Sequence, residues 1–79
     1  MKVSCQFSLY PLGVGDLGPA LQRAFEELDA LNIQYTVGSM STLLEGEEEQ
    51  VFAALARAFH QLAEEGTVVL TATVSNACG

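Results

Sequence analysis

The side chains with the clearest capacity for binding chemistry lie near the N-terminus, where polar residues alternate with apolar ones. Gln6 offers two hydrogen-bond donors and one acceptor, as a heteroaromatic amine requires. Tyr10 offers a ring face for a cation together with a hydroxyl group, and Ser8 lies between the two. These residue types favour recognition of a small cationic or heteroaromatic ligand.

The residues that catalysis or metal binding would require are scarce. His60 is the only histidine, and Cys5 and Cys78 are the only cysteines. A nucleophile needs a neighbouring base, and a metal site needs ligands in pairs, but no such spacing occurs among these residues. We expect His60 to be solvated, Cys5 to be a small core residue and both thiols to be reduced. The sequence predicts no catalytic residue, no metal and no cofactor, and therefore a protein that is not an enzyme.

Two other segments have an alternative interpretation as binding elements. Gly13–Gly15 precedes a helix and could cradle an anion, but it lacks GxGxxG spacing and a nearby Lys or Arg, so an ordinary turn is favoured. The acidic run Glu45–Glu49 suits the first turn of a helix, where the macrodipole favours negative charge. The alternative for this run is the attraction of a cation.

Composition excludes several classes of function. The 79 residues are enough for one domain, and with 49% hydrophobic and 16% charged residues the chain is expected to be globular. A net charge of -7 disfavours binding to nucleic acid or to anionic membranes and favours cations. We find neither a membrane-spanning apolar run nor a signal peptide, so we expect a cytoplasmic protein.

Strands and helices must position these side chains, and the hydropathy pattern predicts both. Alternation with a period of two predicts four strands, at Val3–Tyr10, Ile33–Val37, about Ser39–Leu44 and Thr67–Ser75. In the third strand we expect Met40, Thr42 and Leu44 to face the core, rather than Ser39, Ser41 and Leu43.

Apolar residues at spacings of three and four predict two helices. The first begins with Asp16 as its N-cap or at Gly18, ends at Asn32, and buries Leu17, Leu21, Ala24, Phe25, Leu28 and Leu31. The second begins in the acidic run, ends just before Gly66, and buries Val51, Phe52, Leu55, Phe59, Leu62 and Ala63.

The order strand, helix, strand, strand, helix, strand is that of the ferredoxin-like βαββαβ fold, an α+β architecture. It predicts a four-stranded, antiparallel-type sheet with two helices on one face, in which the first and third strands are central and parallel. The other face stays open and carries Ser4, Gln6, Ser8, Tyr10, Thr71 and Thr73. This open face is either simply solvated, as is usual, or it binds a ligand or a second copy of the chain.

Four strings of residues resemble the YkoF-type thiamine and hydroxymethylpyrimidine-binding family: Gln6–Gly13, Val37–Leu43, Glu45–Glu47 and Val74–Cys78. The resemblance covers nearly the whole chain. It implies ferredoxin-like domains that associate through their sheets, bind thiamine or its pyrimidine portion, and take part in uptake or sensing of these compounds. Well-known members carry two domains in tandem, so for one domain the resemblance implies a homodimer or homotetramer whose site can be shared between subunits.

The resemblance also places the ligand contacts, at Gln6, Ser8, Tyr10, Met40, Ser41, Thr42, Ser75 and Asn76. Gln6, Ser8 and Asn76 have the donors and acceptors that an aminopyrimidine pairs with. Tyr10 and Met40 offer aromatic and polarizable surface to a thiazolium cation. Thiamine is here a ligand and not a cofactor. The alternative is a structural or regulatory oligomerisation domain that binds no small ligand.

Overall fold

The computed structural model describes residues 1–12 and 18–77. Its elements are β1 (Lys2–Leu12), α1 (Gly18–Ala30), β2 (Gln34–Val37), β3 (Thr42–Glu47), α2 (Glu48–Ala63) and β4 (Thr67–Ser75). The strands form one sheet in the order β2-β3-β1-β4, and every pairing in it is antiparallel. This is the α+β ferredoxin-like fold that the sequence predicts.

The two central strands are β1 and β3, as expected, but the prediction that they are parallel is wrong. Lys2 pairs with Glu47 and Phe7 with Thr42, which is an antiparallel register. The reason lies in the connections. Helix α1 returns the chain so that β2 runs parallel to β1, and the short turn at residues 38–41 then reverses the chain into β3.

The central strands differ in length, and this difference creates a notch in the sheet. β1 has 11 residues and β3 has 6. β3 pairs with β1 only as far as Phe7, whereas β4 follows β1 to Leu12. In the described part of the chain, Ser8–Leu12 therefore has a strand on one side only.

The hydrophobic core lies between the sheet and the two helices. From β1, Val3, Cys5 and Phe7 are buried, as their alternation predicts. Leu44 of β3 is also buried, as is Leu28 of α1. Because these residues pack in one cluster with residues of α2, both helices must cover the same face of the sheet.

The core side of helix α2 agrees only in part with the prediction, and Ala63, predicted to be buried, is exposed. Val51, Leu55 and Leu62 are buried as expected, but Phe52 and Phe59 are 53% and 42% exposed. The buried positions that were missed are alanines, Ala54 and Ala58. Small residues allow the helix to approach its neighbours closely, so the two large rings lie on the flank of the helix.

Three local boundaries also differ from the prediction. β3 begins at Thr42 instead of Ser39 and continues through Gly46. Thr42 and Leu44 face the core as predicted, whereas Met40 lies before the strand and is 87% exposed. Glu45 belongs to β3 and not to the start of α2.

At the end of α1, Asn32 has a φ of 58°, the left-handed conformation expected of the predicted helix cap. Helix α1 begins at Gly18, the second of the two predicted starts. The Gly13–Gly15 segment, Asp16, Leu17 and Cys78 lie outside the described residues.

Candidate functional site

Gln6, Ser8 and Tyr10 form a row on the open face of β1. They alternate with Cys5, Phe7 and Leu9, which point toward the helices, so the pleat turns the three polar side chains the other way. Gln6 is exposed, Ser8 is half-buried and Tyr10 is 51% exposed. The row ends in the notch, where β3 no longer pairs with β1.

The turn between β2 and β3 is hydrogen-bonded to this row. Gln6 Nε2 donates to Ser41 Oγ at 3.1 Å, and Ser8 Oγ donates to the Met40 carbonyl at 3.2 Å. Within the turn, the Gly38 N–H donates to the Ser41 carbonyl at 2.8 Å. Residues 38–41 are thus held beside the point where β3 stops pairing with β1, by two side chains that were expected to contact a ligand.

A cleft of about 360 Å³ opens where the end of β1, helix α1 and this turn meet. We call it the strand-end cleft. Its floor is apolar and includes Leu9, Leu21, Phe25, Leu28 and Ala58. Its rim is more polar and includes Ser8, Tyr10, Met40 and Ser41. An apolar cavity with a few convergent polar groups is the usual form of a small-molecule site, and this volume lies at the lower end of the range.

Two shallower depressions lie on the open face and share Gln6 and Thr73. One, of about 300 Å³, also includes Ser8, Tyr10 and Thr71. The other, of about 350 Å³, includes Glu45. The Gln6–Tyr10 row therefore borders both depressions and the strand-end cleft. The carboxylate of Glu45 is a negative group of the second depression. The run Glu45–Glu49 was expected to begin a helix, with attraction of a cation as the alternative, and Glu45 lies instead in β3 on the open face.

The floor residue Phe25 is held in place by an aromatic contact. Phe25 of α1 stacks on Tyr35 of β2, with ring centroids 5.6 Å apart and an interplanar angle of 18°. Tyr35 Oη donates to Asp29 Oδ1 at 3.0 Å. The pKa of Tyr35 is raised above its ordinary value, chiefly by this hydrogen bond and then by burial and by the charge of Asp29.

Cys5 and His60 lie apart from the cleft. Cys5 is a free, buried thiol, and burial raises its pKa. His60 is exposed on α2, with Nε2 3.1 Å from Glu64 Oε1. No helix within the described ranges is both long and apolar enough to cross a membrane.

The comparison with protein families matches residues 2–79 to the YKOF-related family. The chain belongs to that family. None of the curated proteins matches it.

Solved structures share the fold of this family member. One is a "putative thiamine biosynthesis/salvage protein" from Thermotoga maritima, with a TM-score of 0.78 and 26% identity over 100% of this chain and 87% of that one. Another is a domain of unknown function from Bacillus cereus, with a TM-score of 0.80 and 26% identity over 94% of this chain and 74% of that one. A hypothetical protein from Methanocaldococcus jannascii has a TM-score of 0.83 and 23% identity, covering 95% and 79%.

The contacts expected from the YKOF-type resemblance fall into two groups in the structure. Gln6, Ser8, Tyr10, Met40 and Ser41 meet at the turn and the end of β1. Thr42 is 8% exposed and points to the helix side, although it also lines the strand-end cleft.

Ser75 and Asn76 lie at the other end of the sheet. Ser75 pairs with Ser4, which is about 20 Å along β1 from Tyr10. Ser75 Oγ accepts a hydrogen bond from the Ala77 N–H, and Asn76 Nδ2 donates to the Met1 sulfur. These two residues are not brought to the cleft. Ser75 instead borders the open-face depression that contains Glu45.

Proposed function

We propose that this member of the YKOF-related family is a non-catalytic binding protein for thiamine or its hydroxymethylpyrimidine moiety. It acts in the cytoplasm as a homodimer or homotetramer, in uptake or sensing of these compounds. The observation that carries the proposal is one apolar cleft whose rim includes Ser8, Tyr10 and the turn residues 40–41. Gln6 adjoins this rim on the open face, where it donates to Ser41. The Thermotoga maritima neighbour, described as thiamine-related, supports the choice of ligand.

The chemistry of thiamine matches the surfaces around the row. The flat pyrimidine ring fits an apolar floor that includes Phe25, and its ring nitrogens pair with the Ser8 hydroxyl at the rim. The Gln6 amide lies next to Ser8 on the open face and pairs with the exocyclic amino group from that side.

The thiazolium cation is attracted either by the ring of Tyr10 or by the carboxylate of Glu45. Glu45 pairs with Ser4 and is too far along the sheet from Tyr10 for one ring to contact both. The free pyrimidine would use only the first set of contacts.

The absence of catalysis is also a proposal, supported by the state of the two most reactive side chains described. The Cys5 thiol is buried with a raised pKa, so it is held as the thiol and not as the nucleophilic thiolate. His60 is exposed on α2 and does not line the strand-end cleft.

Calorimetric titration with thiamine and with hydroxymethylpyrimidine, together with thermal melting, tests the proposal. Ligand at about 100 times its dissociation constant stabilises a protein by about 2.7 kcal/mol, so melting should shift clearly upward. Gln6→Ala should raise the dissociation constant about tenfold through the lost hydrogen bonds, and should change the free energy of unfolding by only about 0.5 kcal/mol because the residue is exposed.

Gln34→Ala is the matched control, because Gln34 is an exposed residue of β2 opposite Glu45 and lines none of the three depressions around the row. It should bind both compounds as the wild type does. Unchanged melting and no heat of binding with either compound at saturating concentration would refute the proposal and favour the oligomerisation domain. Equal weakening by both substitutions would show that Gln6 is not a contact.

A further inference from the structure

The turn between β2 and β3 has a closed base and a tip that one hydrogen bond joins to β1. At the base, the Gly38 N–H donates to the Ser41 carbonyl at 2.8 Å. The tip consists of residues 39–40. Within the described part of the chain, the only hydrogen bond between this tip and β1 runs from Ser8 Oγ to the Met40 carbonyl, at 3.2 Å. The position of the tip therefore depends on the Ser8 hydroxyl.

Ser8 has a single proton to donate, and the proposed ligand requires it. A serine hydroxyl carries one O–H donor, and in this structure that donor is directed at the Met40 carbonyl. The ring nitrogens of an aminopyrimidine are hydrogen-bond acceptors. They compete with the Met40 carbonyl for the same donor, so the ring cannot accept a hydrogen bond from Ser8 while the tip of the turn does.

Gln6 is not subject to this competition. Its amide has two N–H donors and one acceptor, and one of the donors is used, toward Ser41 Oγ at 3.1 Å. Gln6 therefore has a donor and an acceptor for the ligand while it continues to hold Ser41. A ligand at the row thus releases the tip of the turn and leaves its base in place.

The side chain carried by the tip is suited to cover a ligand. Met40 borders the strand-end cleft and, at 87%, is the most exposed of the large apolar side chains described. A methionine side chain has three rotatable bonds and a polarizable sulfur that packs favourably against aromatic rings. Rotation of a released tip would bring this side chain over the cleft, where a bound ring gives it an apolar partner.

We propose that the hydrogen bond between Ser8 and Met40 is a latch, which the ligand opens by accepting the bond from Ser8 in place of the Met40 carbonyl. The Met40 side chain then folds over the bound ring. This inference rests on the proposed function and adds a moving cover to the site. The exchange costs little free energy, because one hydrogen bond to Ser8 replaces another and water hydrates the released carbonyl.

Nuclear magnetic resonance of the methionine methyl groups tests the movement of Met40. The chain contains two methionines. Met1 lies at the other end of β1, where its sulfur accepts a hydrogen bond from Asn76, so it is an internal control. In the presence of a soluble paramagnetic agent, saturating thiamine should reduce the broadening of the Met40 methyl signal and leave the broadening of the Met1 signal unchanged.

Ser8→Ala tests the latch without any ligand. It removes the donor to the Met40 carbonyl, so the Met40 methyl signal should shift toward its position in the thiamine complex of the wild type. Ser8→Thr keeps a hydroxyl and should leave the signal at the wild-type position. Ser4→Ala is the matched control, because it removes a hydroxyl from the same face of β1 beside Glu45, and it should not shift the Met40 signal.

Met40→Ala removes the cover but keeps the latch, because the carbonyl that Ser8 binds belongs to the backbone. Thiamine should dissociate from this variant about two- to tenfold faster than from the wild type, through the lost contacts of the sulfur, and should associate at the wild-type rate. Stopped-flow measurements give both rates. Met40→Leu restores an apolar cover, so thiamine should dissociate from it at close to the wild-type rate.

The outcomes separate the latch from the proposed function. If thiamine gives a heat of binding but the Met40 methyl stays as exposed as without thiamine, the latch is overturned and the proposed function stands. The same holds if Ser8→Ala leaves the Met40 signal at its wild-type position, or if thiamine dissociates from Met40→Ala at the wild-type rate. If neither thiamine nor hydroxymethylpyrimidine gives a heat of binding, the proposed function is overturned and the latch with it.

Discussion

At the scale of single residues, Tyr35 supports the cleft indirectly, through its contact with the floor residue Phe25. Its hydroxyl donates to Asp29 and its ring stacks on Phe25, so the residue connects β2 to α1 by two contacts. Deprotonation would remove the donor and place two negative charges side by side. The stability of this corner should therefore depend on pH in the alkaline range.

The sign of that dependence follows from the raised pKa of Tyr35. In the unfolded chain the phenol titrates near pH 10, whereas the folded state favours the neutral form. The stabilisation is thus complete below about pH 10 and is lost as the pH rises through the higher folded pKa. Urea unfolding should show a steeper alkaline loss for the wild type than for Tyr35→Phe.

The Cys5 thiol, whose pKa is also raised, titrates in both proteins and so cancels in this comparison. Parallel pH curves for the two proteins would contradict an energetic role for the bond between Tyr35 and Asp29.

Single residues also show which features of the site could be predicted from the sequence. The alternation of β1 placed Gln6, Ser8 and Tyr10 on one face, because a strand has only two faces to assign. It could not show that Ser41 accepts a hydrogen bond from Gln6, or that Asn76 lies near Met1, because these contacts depend on the register between strands.

At the scale of elements, the β2–β3 turn is the part on which the candidate site depends most. A Cβ added to Gly38 would lie 3.0 Å from the Ser41 carbonyl oxygen, closer than nearly all contacts of that kind. The turn would have to open, and with it the bonds from Gln6 and Ser8.

Gly38→Ala should therefore destabilise the protein by about 1 kcal/mol and weaken ligand binding as well. Thermal melting and calorimetric titration measure the two effects. Thr36→Ala, in the adjoining strand β2, changes an exposed side chain without crowding the turn and should bind normally. If Gly38→Ala binds thiamine as tightly as the wild type, the turn is not part of the site.

Element boundaries were harder to predict than element types. The hydropathy pattern showed clearly which segments are strands and which are helices, and β4 has the predicted limits of Thr67–Ser75. The core side of α2 was misassigned because hydrophobicity alone ranks Phe above Ala. In the folded chain, the close approach of neighbouring elements selects Ala54 and Ala58 for the interior and leaves Phe59 on the flank.

At the scale of the whole molecule, the order of elements predicted the fold, and four strings of residues indicated the family. Neither could predict the strand-end cleft. The strand-end cleft exists because β1 continues past the last residue that pairs with β3, Phe7. That difference in length is a tertiary property, since neither strand's own sequence states where its partner ends.

The net charge of -7 is also a property of the whole molecule, and it separates the two proposed ligands. Thiamine carries a permanent positive charge, and hydroxymethylpyrimidine is uncharged at mildly alkaline pH. Added salt shortens the Debye length to about 10 Å at 0.1 M, so it should weaken thiamine binding and leave binding of the pyrimidine unchanged.

Two matched substitutions separate the attraction of thiamine by Glu45 from its attraction by the net charge of the protein. Glu45→Gln removes the carboxylate beside the Gln6 row, and Glu26→Gln removes an exposed carboxylate on α1. Because an exposed ion pair contributes about 0.2–1 kcal/mol, Glu45→Gln should weaken thiamine binding about two- to fivefold without affecting the pyrimidine. Glu26→Gln should change neither affinity in calorimetric titrations. Equal effects of the two substitutions on thiamine would place the cation away from Glu45 and assign its attraction to the net charge alone.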